Sequence, residues 1–191
     1  MTSEPDDDEL LRRLRAGDEA AFTAFYRRWQ GPLFRFAWRL SGRAAAAEDA
    51  THEVFMALID GGLRFDPARG PLAPYLYGMT RNQVRRRLER DGPPAWDAAP
   101  PDPVAPSGEG PLERLALAED VEALRRAVLA LPEHYREAIV LCDLEQLTYE
   151  HAAVALDCAV GTVRSRLHRG REMLAERLRA RRTPAPLKVA R

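Results

Sequence analysis

The sequence predicts an all-α protein of two small helical domains, joined by a proline-rich acidic linker, with a helix-turn-helix in the second domain. Apolar residues recur at helical spacing on both sides of residues 91–111, and no segment alternates apolar and polar residues as strands do. The linker itself contains seven prolines and four acidic residues but no basic residue, so it cannot bury enough surface to fold. We therefore predict domains at 1–90 and 112–182, a flexible linker at 91–111 and a disordered tail at 183–191.

Composition limits the class of protein. The chain has 191 residues, 46% of them hydrophobic, which excludes wholesale disorder. No apolar run is long enough to span a bilayer, and the acidic start, "MTSEPDDDEL", is not a signal peptide. The two cysteines, Cys142 and Cys158, are too far apart for a CxxC pair, which argues against structural zinc. We expect a cytoplasmic protein with reduced thiols, no membrane insertion, no metal and no cofactor.

The charge is unevenly distributed along a chain whose formal net charge is zero. Residues 81–90 carry five arginines against one glutamate, and residues 161–182 carry eight arginines against two glutamates. The N-terminal twenty residues and the middle of the chain are acidic. This pattern predicts two contacts with a polyanion and a different partner for the acidic surfaces.

The helices of the first domain follow from their end signals and apolar spacing. Gly17 ends a short helix and Asp18 caps the next one, in which Pro32 either kinks the helix or starts a new one. The aromatic residues of that helix are predicted to form core. A third helix, "AAAAEDATHEVFMALID", carries a separate polar stripe, and the loop "GGLRFDPARGP" leads into a fourth helix, "PYLYGMTRNQVRRRLER". The stripe consists of Asp49, Glu53, Met56 and Asp60.

The second domain is predicted to contain helices at about 112–129, 132–144 and 149–156, followed by a long helix from Val160. Thr148 caps the third of these helices, and residues 157–160 form a tight turn. In the long helix an apolar stripe that includes Val163 and Leu167 lies on one side. The opposite side carries Arg164, Ser165, His168 and Arg169. By itself this helix could be a solvated amphipathic helix, but the turn before it is typical of a helix-turn-helix whose second helix enters the major groove of DNA.

Three segments resemble two conserved regions of a known family. "LPEHYREAIVLCDLEQLTYEHAAVALDCAVGTVRSRLHRGREML" is similar to the fourth conserved region of bacterial RNA polymerase sigma factors of the extracytoplasmic-function type. "AEDATHEVFMAL" and "FDPARGPLAPYLYGMTRNQVRRRLER" are similar to the second conserved region. The sequence departs from the family pattern at His52 (usually Gln), at Tyr75 (usually Trp), at His151, where Glu normally completes the capping box, and at Asp157 (usually Gly).

The resemblance implies a protein without catalytic residues that brings core RNA polymerase to promoter DNA, in a stress or envelope response, and that is restrained by an anti-sigma factor. The upstream (−35) element would be read in the major groove by Arg164, Ser165, His168 and Arg169. The downstream (−10) element would be bound through its bases and phosphates by Phe65, Arg69, Arg81, Asn82, Arg85 and Arg86, with the Phe65–Gly70 loop as the wall of a flipped-base pocket. The polymerase would be bound by Asp49, His52, Glu53 and Met56.

Two other classes of protein compete with this interpretation. A free-standing helix-turn-helix regulator would explain residues 148–178 but would leave the "AEDATHE" and "YGMTRN" segments without a role. A metalloenzyme is suggested by the Asp49-x-x-His52 spacing, but such a site needs matching ligands on neighbouring helices. The other adjacent carboxylate–histidine pairs, Glu133-His134 and Glu150-His151, lie beyond the linker.

Overall fold

The structure, a computed structural model, describes residues 5–60, 65–97 and 111–182, without the side chains of Arg69, residues 111–117 and Arg182. Within these ranges the chain is helical, with no strand, as the sequence predicted. The helices are α1 Asp7–Arg15, α2 Glu19–Ser41, α3 Ala44–Ile59, α4 Leu72–Asp91, α5 Pro111–Leu129, α6 Glu133–Ile139, α7 Tyr149–Leu156 and α8 Val160–Arg182. A short 3₁₀ turn spans Pro67–Arg69, and a π-helical turn, Val140–Leu144, continues α6. None of the helices in the described ranges is long and apolar enough to cross a membrane.

Helices α1 to α4 form the first half of the molecule. Gly17 has a positive φ of 85° between α1 and α2, and the Asp18 carboxylate accepts hydrogen bonds from the first amides of α2, so both predicted end signals are confirmed. Helix α2 continues through Pro32 to Ser41, which shows that the proline does not start a new helix. Its inner face is buried against α1, α3 and α4, and Phe25, Leu33 and Phe36 at the centre of this half are fully buried.

Helices α7 and α8 form the helix-turn-helix of the second half, and α6 packs against α8. The Thr148 hydroxyl accepts a hydrogen bond from the His151 amide (3.2 Å) and caps α7, as predicted. Asp157 adopts the left-handed conformation (φ 50°, ψ 53°) that turns the chain between α7 and α8. Val163 and Leu167 are buried, which fixes the direction in which α8 faces.

The two halves share one continuous core. Helix α4 packs along α7, and the approach is close at Gly78, where an added Cβ would lie 3.3 Å from the carbonyl oxygen of Ala155. The sequence suggested two domains separated by a linker, but the structure shows them in direct contact. Local patterns do not reveal such a contact, because it depends on residues that are distant along the chain.

The beginning of the predicted linker is part of this packed structure. Helix α4 extends to Asp91, and the amides of Ala95 and Asp97 donate to the carbonyl oxygens of Ser41 and Gly42 at the end of α2 (3.2 and 2.8 Å). The Trp96 ring lies against Trp38, with 5.3 Å between the ring centroids. Helix α5 begins at Pro111, one residue before the predicted boundary. The rest of the linker and the tail at 183–191 lie outside the described residues.

Candidate nucleic-acid and polymerase interfaces

The outer face of α8 presents the four side chains predicted to read the upstream element. All four are exposed. Three of them contact neighbours on α8: the Ser165 hydroxyl donates to the Thr162 carbonyl oxygen (3.0 Å), and His168 and Arg169 lie 3.3 and 3.2 Å from the Glu172 carboxylate. A single helix whose exposed face carries basic side chains can enter the major groove of DNA.

Arg164 differs from the other three because its neighbour is an aromatic ring. Its guanidinium carbon lies 5.8 Å from the centroid of the Tyr149 ring, at the start of α7. On the same helix as Arg164, Arg171 forms a two-point ion pair with Asp143 (3.0 and 2.5 Å). Hydrogen bonding to Asp143, with a smaller contribution from the Tyr149 hydroxyl, holds the pKa of Arg171 above its ordinary value.

The residues predicted to bind the downstream element occupy α4 and the loop before it, in different environments. Asn82 and Arg86 are exposed on α4, as a contact with DNA requires. Arg81 is largely buried, and its Nε donates to the Glu137 carboxylate of α6 (2.6 Å). Arg85 lies 2.8 Å from Glu133, also on α6. In this packed arrangement the second half therefore occupies two of the arginines that were predicted to hold phosphates.

The loop predicted to wall a flipped-base pocket lies beside a cleft of about 650 Å³. Phe65 is buried, with its ring 5.5 Å from that of Tyr75, and Arg15 donates to its carbonyl oxygen (3.0 Å). Asp66 caps the 3₁₀ turn, and the backbone of Arg69 belongs to this turn. The far side of the cleft is formed by residues of α7 and the turn after it, including Val154 and Cys158. The loop therefore faces the helix-turn-helix directly.

The residues predicted to bind the polymerase lie together on one face of α3. Asp49, His52, Glu53 and Met56 are all exposed, and the first two line a groove of about 560 Å³ between α2 and α3. Arg87 of α4 contacts this face, 2.7 Å from Asp49 and 3.9 Å from Glu53. In the part of the chain that the structure describes, no three potential ligands gather as a metal site requires, around the Asp49–His52 pair or elsewhere.

Three carboxylates that join the two halves were missed by the sequence interpretation. Glu137 pairs with Arg81 and Glu133 with Arg85, while Glu145 pairs with Arg39 and accepts a hydrogen bond from the Tyr77 hydroxyl (3.1 Å). Burial, with the nearby Glu145 charge as a second cause, raises the pKa of Tyr77 well above its usual value, so the hydroxyl remains a donor.

A fourth link between the halves is made by Arg136, which is buried and donates to the carbonyl oxygen of Leu40 at the end of α2 (2.8 Å). Burial lowers its pKa, and Glu133 and Glu137 oppose this effect. One signal for these contacts was present in the sequence: the adjacent charges Arg136-Glu137 directly precede an apolar run, "AIVLC", and an ion that is buried beside such a run needs a partner.

Comparison with known proteins defines the class of protein to which this fold and these surfaces belong. Residues 25–92 match the model of sigma-70 region 2, and residues 121–174 match that of sigma-70 region 4. The RNA polymerase sigma-H factor of Pseudomonas aeruginosa is 31% identical over 93% of this chain and 96% of its own length. The sigma-E factor of Escherichia coli K12, of the ECF type, is 32% identical over 91% of this chain and 95% of its own length. This chain belongs to the ECF RNA polymerase sigma factors of the sigma-70 family.

Further relatives agree with this assignment. The ECF sigma factor SigE of Mycolicibacterium smegmatis is 34% identical over 85% of this chain, which spans 64% of that protein's length. The sigma factor RpoE of Bartonella quintana, solved in complex with the anti-sigma factor NepR, has a TM-score of 0.62 and 27% identity over 84% of this chain and 98% of its own. CnrH, solved with the cytosolic domain of CnrY, shares the fold, with a TM-score of 0.66 and 23% identity over 90% of this chain and 96% of its own.

Proposed function

We propose that this chain directs core RNA polymerase to promoters and takes part in opening them, in the cytoplasm and without a catalytic step of its own. The observation that carries the proposal is the placement of two arginine-rich helices, α4 and α8, on separate halves of a chain with no net charge. Two cationic surfaces suit two separated stretches of one DNA molecule. The regulon that we propose, for a stress or envelope response, rests on the resemblance to sigma factors of the extracytoplasmic-function type.

The upstream element is read by α8. Arg164, at the second turn of the helix, pairs with guanine through two N–H groups, and Ser165 and His168 donate to base acceptors or phosphates. Arg169 holds the phosphate backbone or a further base edge. The support for these roles is that all four side chains are exposed on the face opposite the buried Val163.

The downstream element is bound as a separated single strand. Asn82 offers a donor and an acceptor to an unpaired base edge, and Arg86 binds phosphate from the same exposed side of α4. A base extruded from the strand packs on the loop side of this cleft, beside Phe65 and Tyr75, where movement of α7 away from α4 opens apolar surface for stacking. Arg69, Arg81 and Arg85 complete the phosphate contacts, the last two after release from α6.

The packed arrangement of the two halves is the form without DNA. Elements centred near 10 and 35 base pairs upstream of the start site lie roughly 85 Å apart along B-DNA, at about 3.4 Å per base pair. Gly78 of α4 and Ala155 of α7 are in van der Waals contact, so the packed form cannot engage both elements together. Binding to a promoter therefore separates α4 from α7 and frees Arg81 and Arg85 from their carboxylates.

Core polymerase binds the exposed face of α3, where acidic and apolar residues adjoin the groove along α2. An anti-sigma factor binds this chain, by analogy with RpoE of Bartonella quintana, which was solved in complex with the anti-sigma factor NepR. The test is transcription in vitro with core polymerase on genomic DNA, with start sites mapped. Start sites that depend on this chain support the proposal. A chain that binds duplex promoter DNA equally well without polymerase, and adds no start sites, would instead be a free-standing regulator.

Charge reversal on α3 tests the polymerase contact. Asp49→Lys with Glu53→Lys is expected to abolish co-purification with core polymerase, because both side chains are exposed and a basic partner surface would now be repelled. The matched control reverses two exposed acids on α5, Glu119→Lys with Asp120→Lys, and should leave binding intact. Circular dichroism reports whether both variants keep their helices. Unchanged co-purification of the α3 variant at moderate salt contradicts the assignment.

A further inference from the structure

We propose that Tyr149 is a positioning residue for promoter reading: its ring supports the Arg164 guanidinium and sets the direction in which that side chain meets the upstream element. The inference rests on the proposed function, because it assumes that Arg164 reads a base. The residues proposed to read the upstream element all lie on α8, the second helix of the motif. Tyr149 would add a residue of α7, the first helix.

The contact leaves the N–H groups of Arg164 without a carboxylate partner. An arginine that stacks on an aromatic ring does so through the flat face of its guanidinium. Its N–H groups point outward along the edge of that plane, and these are the groups that pair with O6 and N7 of guanine. An ion pair with a carboxylate would instead occupy the edge. Among the described residues no carboxylate pairs with Arg164, whereas His168 and Arg169 both contact Glu172.

The ring has a fixed position in the fold. Tyr149 is the first residue of α7, follows the Thr148 cap and is partly buried against the core. A support in this position restricts the long Arg164 side chain before DNA arrives, and a restricted side chain makes a directional contact at a lower entropic cost.

The experiment compares base preferences in transcription from a library of promoters randomised across the upstream element, using core polymerase and the full chain. Arg164→Ala identifies the position that Arg164 reads. Tyr149→Leu, which removes the aromatic face but keeps apolar bulk, is expected to reduce the preference at that same position by about two- to fivefold, the effect of an exposed cation–π contact. Tyr149→Phe keeps the ring and should retain most of the preference.

Three further measurements separate positioning from general damage. In the Arg164→Ala background, Tyr149→Leu should cause no additional change at that position, since the supported side chain is gone. Preferences at the other positions of the element should be the same in Tyr149→Leu and in the wild type. Thermal unfolding followed by circular dichroism shows whether the Leu variant retains its helices.

The outcomes are distinct. A uniform loss of output across the library, with unchanged base preferences, would mean that Tyr149 contacts the DNA backbone or only stabilises α7, and would overturn the inference. Equal losses for the Leu and Phe variants would overturn it too, because the ring face would then be irrelevant. If Arg164→Ala itself leaves all preferences unchanged, the reading role proposed for Arg164 fails, and the support role falls with it.

Discussion

Replacing Glu137 with glutamine is expected to separate the two halves of the molecule. The Glu137 carboxylate accepts a hydrogen bond from Arg81 at 2.6 Å, and the two side chains are only 3% and 12% exposed. Removing one charge leaves the other buried without its counter-ion. If α4 separates from α6, Arg81 returns to water. Opening of the two halves therefore removes the free-energy cost of the unpaired buried charge without unfolding the helices.

The size of the effect follows from the burial of the pair. Removing one partner of a buried ion pair destabilises the structure that contains it by about 3–5 kcal/mol. Glutamine keeps an oxygen acceptor for Arg81, so we take the lower end, about 3 kcal/mol. At about 1.4 kcal/mol per factor of ten, the equilibrium between packed and open forms shifts on the order of 100-fold toward the open form.

Two measurements on the free protein test this expectation. Small-angle X-ray scattering should give a larger radius of gyration for Glu137→Gln than for the wild type. A labelled single strand carrying the downstream element should bind more tightly, by up to the same factor, because Arg81 becomes available to phosphate. Glu89→Gln, the same charge change at an exposed position of α4, is the matched control and should alter neither quantity.

Gly78→Ala crowds the same interface and changes no charge. Alanine favours helix formation within α4, but its Cβ would lie 3.3 Å from the backbone oxygen of Ala155, so α7 must shift by a few tenths of an ångström to accept it. The variant should retain its helical circular dichroism and bind the single strand more tightly than the wild type, by a smaller factor than Glu137→Gln. Wild-type scattering of Glu137→Gln together with wild-type affinity for the single strand in both variants would refute the view that these contacts hold the halves together.

Two further predictions concern local features. Burial raises the pKa of Cys142 to about 11, so at pH 8 only about one in a thousand of these thiols is ionised. A thiol reagent should therefore modify the partly exposed Cys158 first. Equal rates of modification for the two cysteines would be inconsistent with the buried position of Cys142. Thr148→Ala should lower the free energy of unfolding by about 1 kcal/mol through loss of the α7 cap, and His151→Glu should raise it by completing the capping box, both measured by urea unfolding.

The helices could be predicted because their signals are local. Asp18 and Thr148 cap the helices that they were expected to cap, and Asp157 takes the left-handed conformation that ends α7. The exposed face of α8 was predictable for the same reason, since buried Val163 and Leu167 determine which residues point outward. The support of Arg164 by an aromatic ring on another helix was not predictable in this way, because it depends on how α7 and α8 cross.

Whether each arginine of α4 is exposed or held in an ion pair also could not be predicted from the sequence. Arg81 and Arg86 belong to the same basic cluster, yet one is largely buried in an ion pair and the other is exposed. The partner of Arg81 lies 56 residues away in the chain, across the predicted linker. A helical pattern shows which residues share a face of α4, but it does not show that another half of the molecule covers that face.

These ion pairs lie where the chain is proposed to meet its partners. Carboxylates of α6 neutralise Arg81 and Arg85, and Asp49 of α3 contacts Arg87. Each carboxylate occupies a group suited to DNA phosphate, so the free chain has less cationic surface than its arginine content suggests. If Asp49 binds a basic polymerase surface, as proposed, Arg87 loses this contact and becomes available to another anion. By linkage, DNA that captured Arg87 would then strengthen polymerase binding by the same factor.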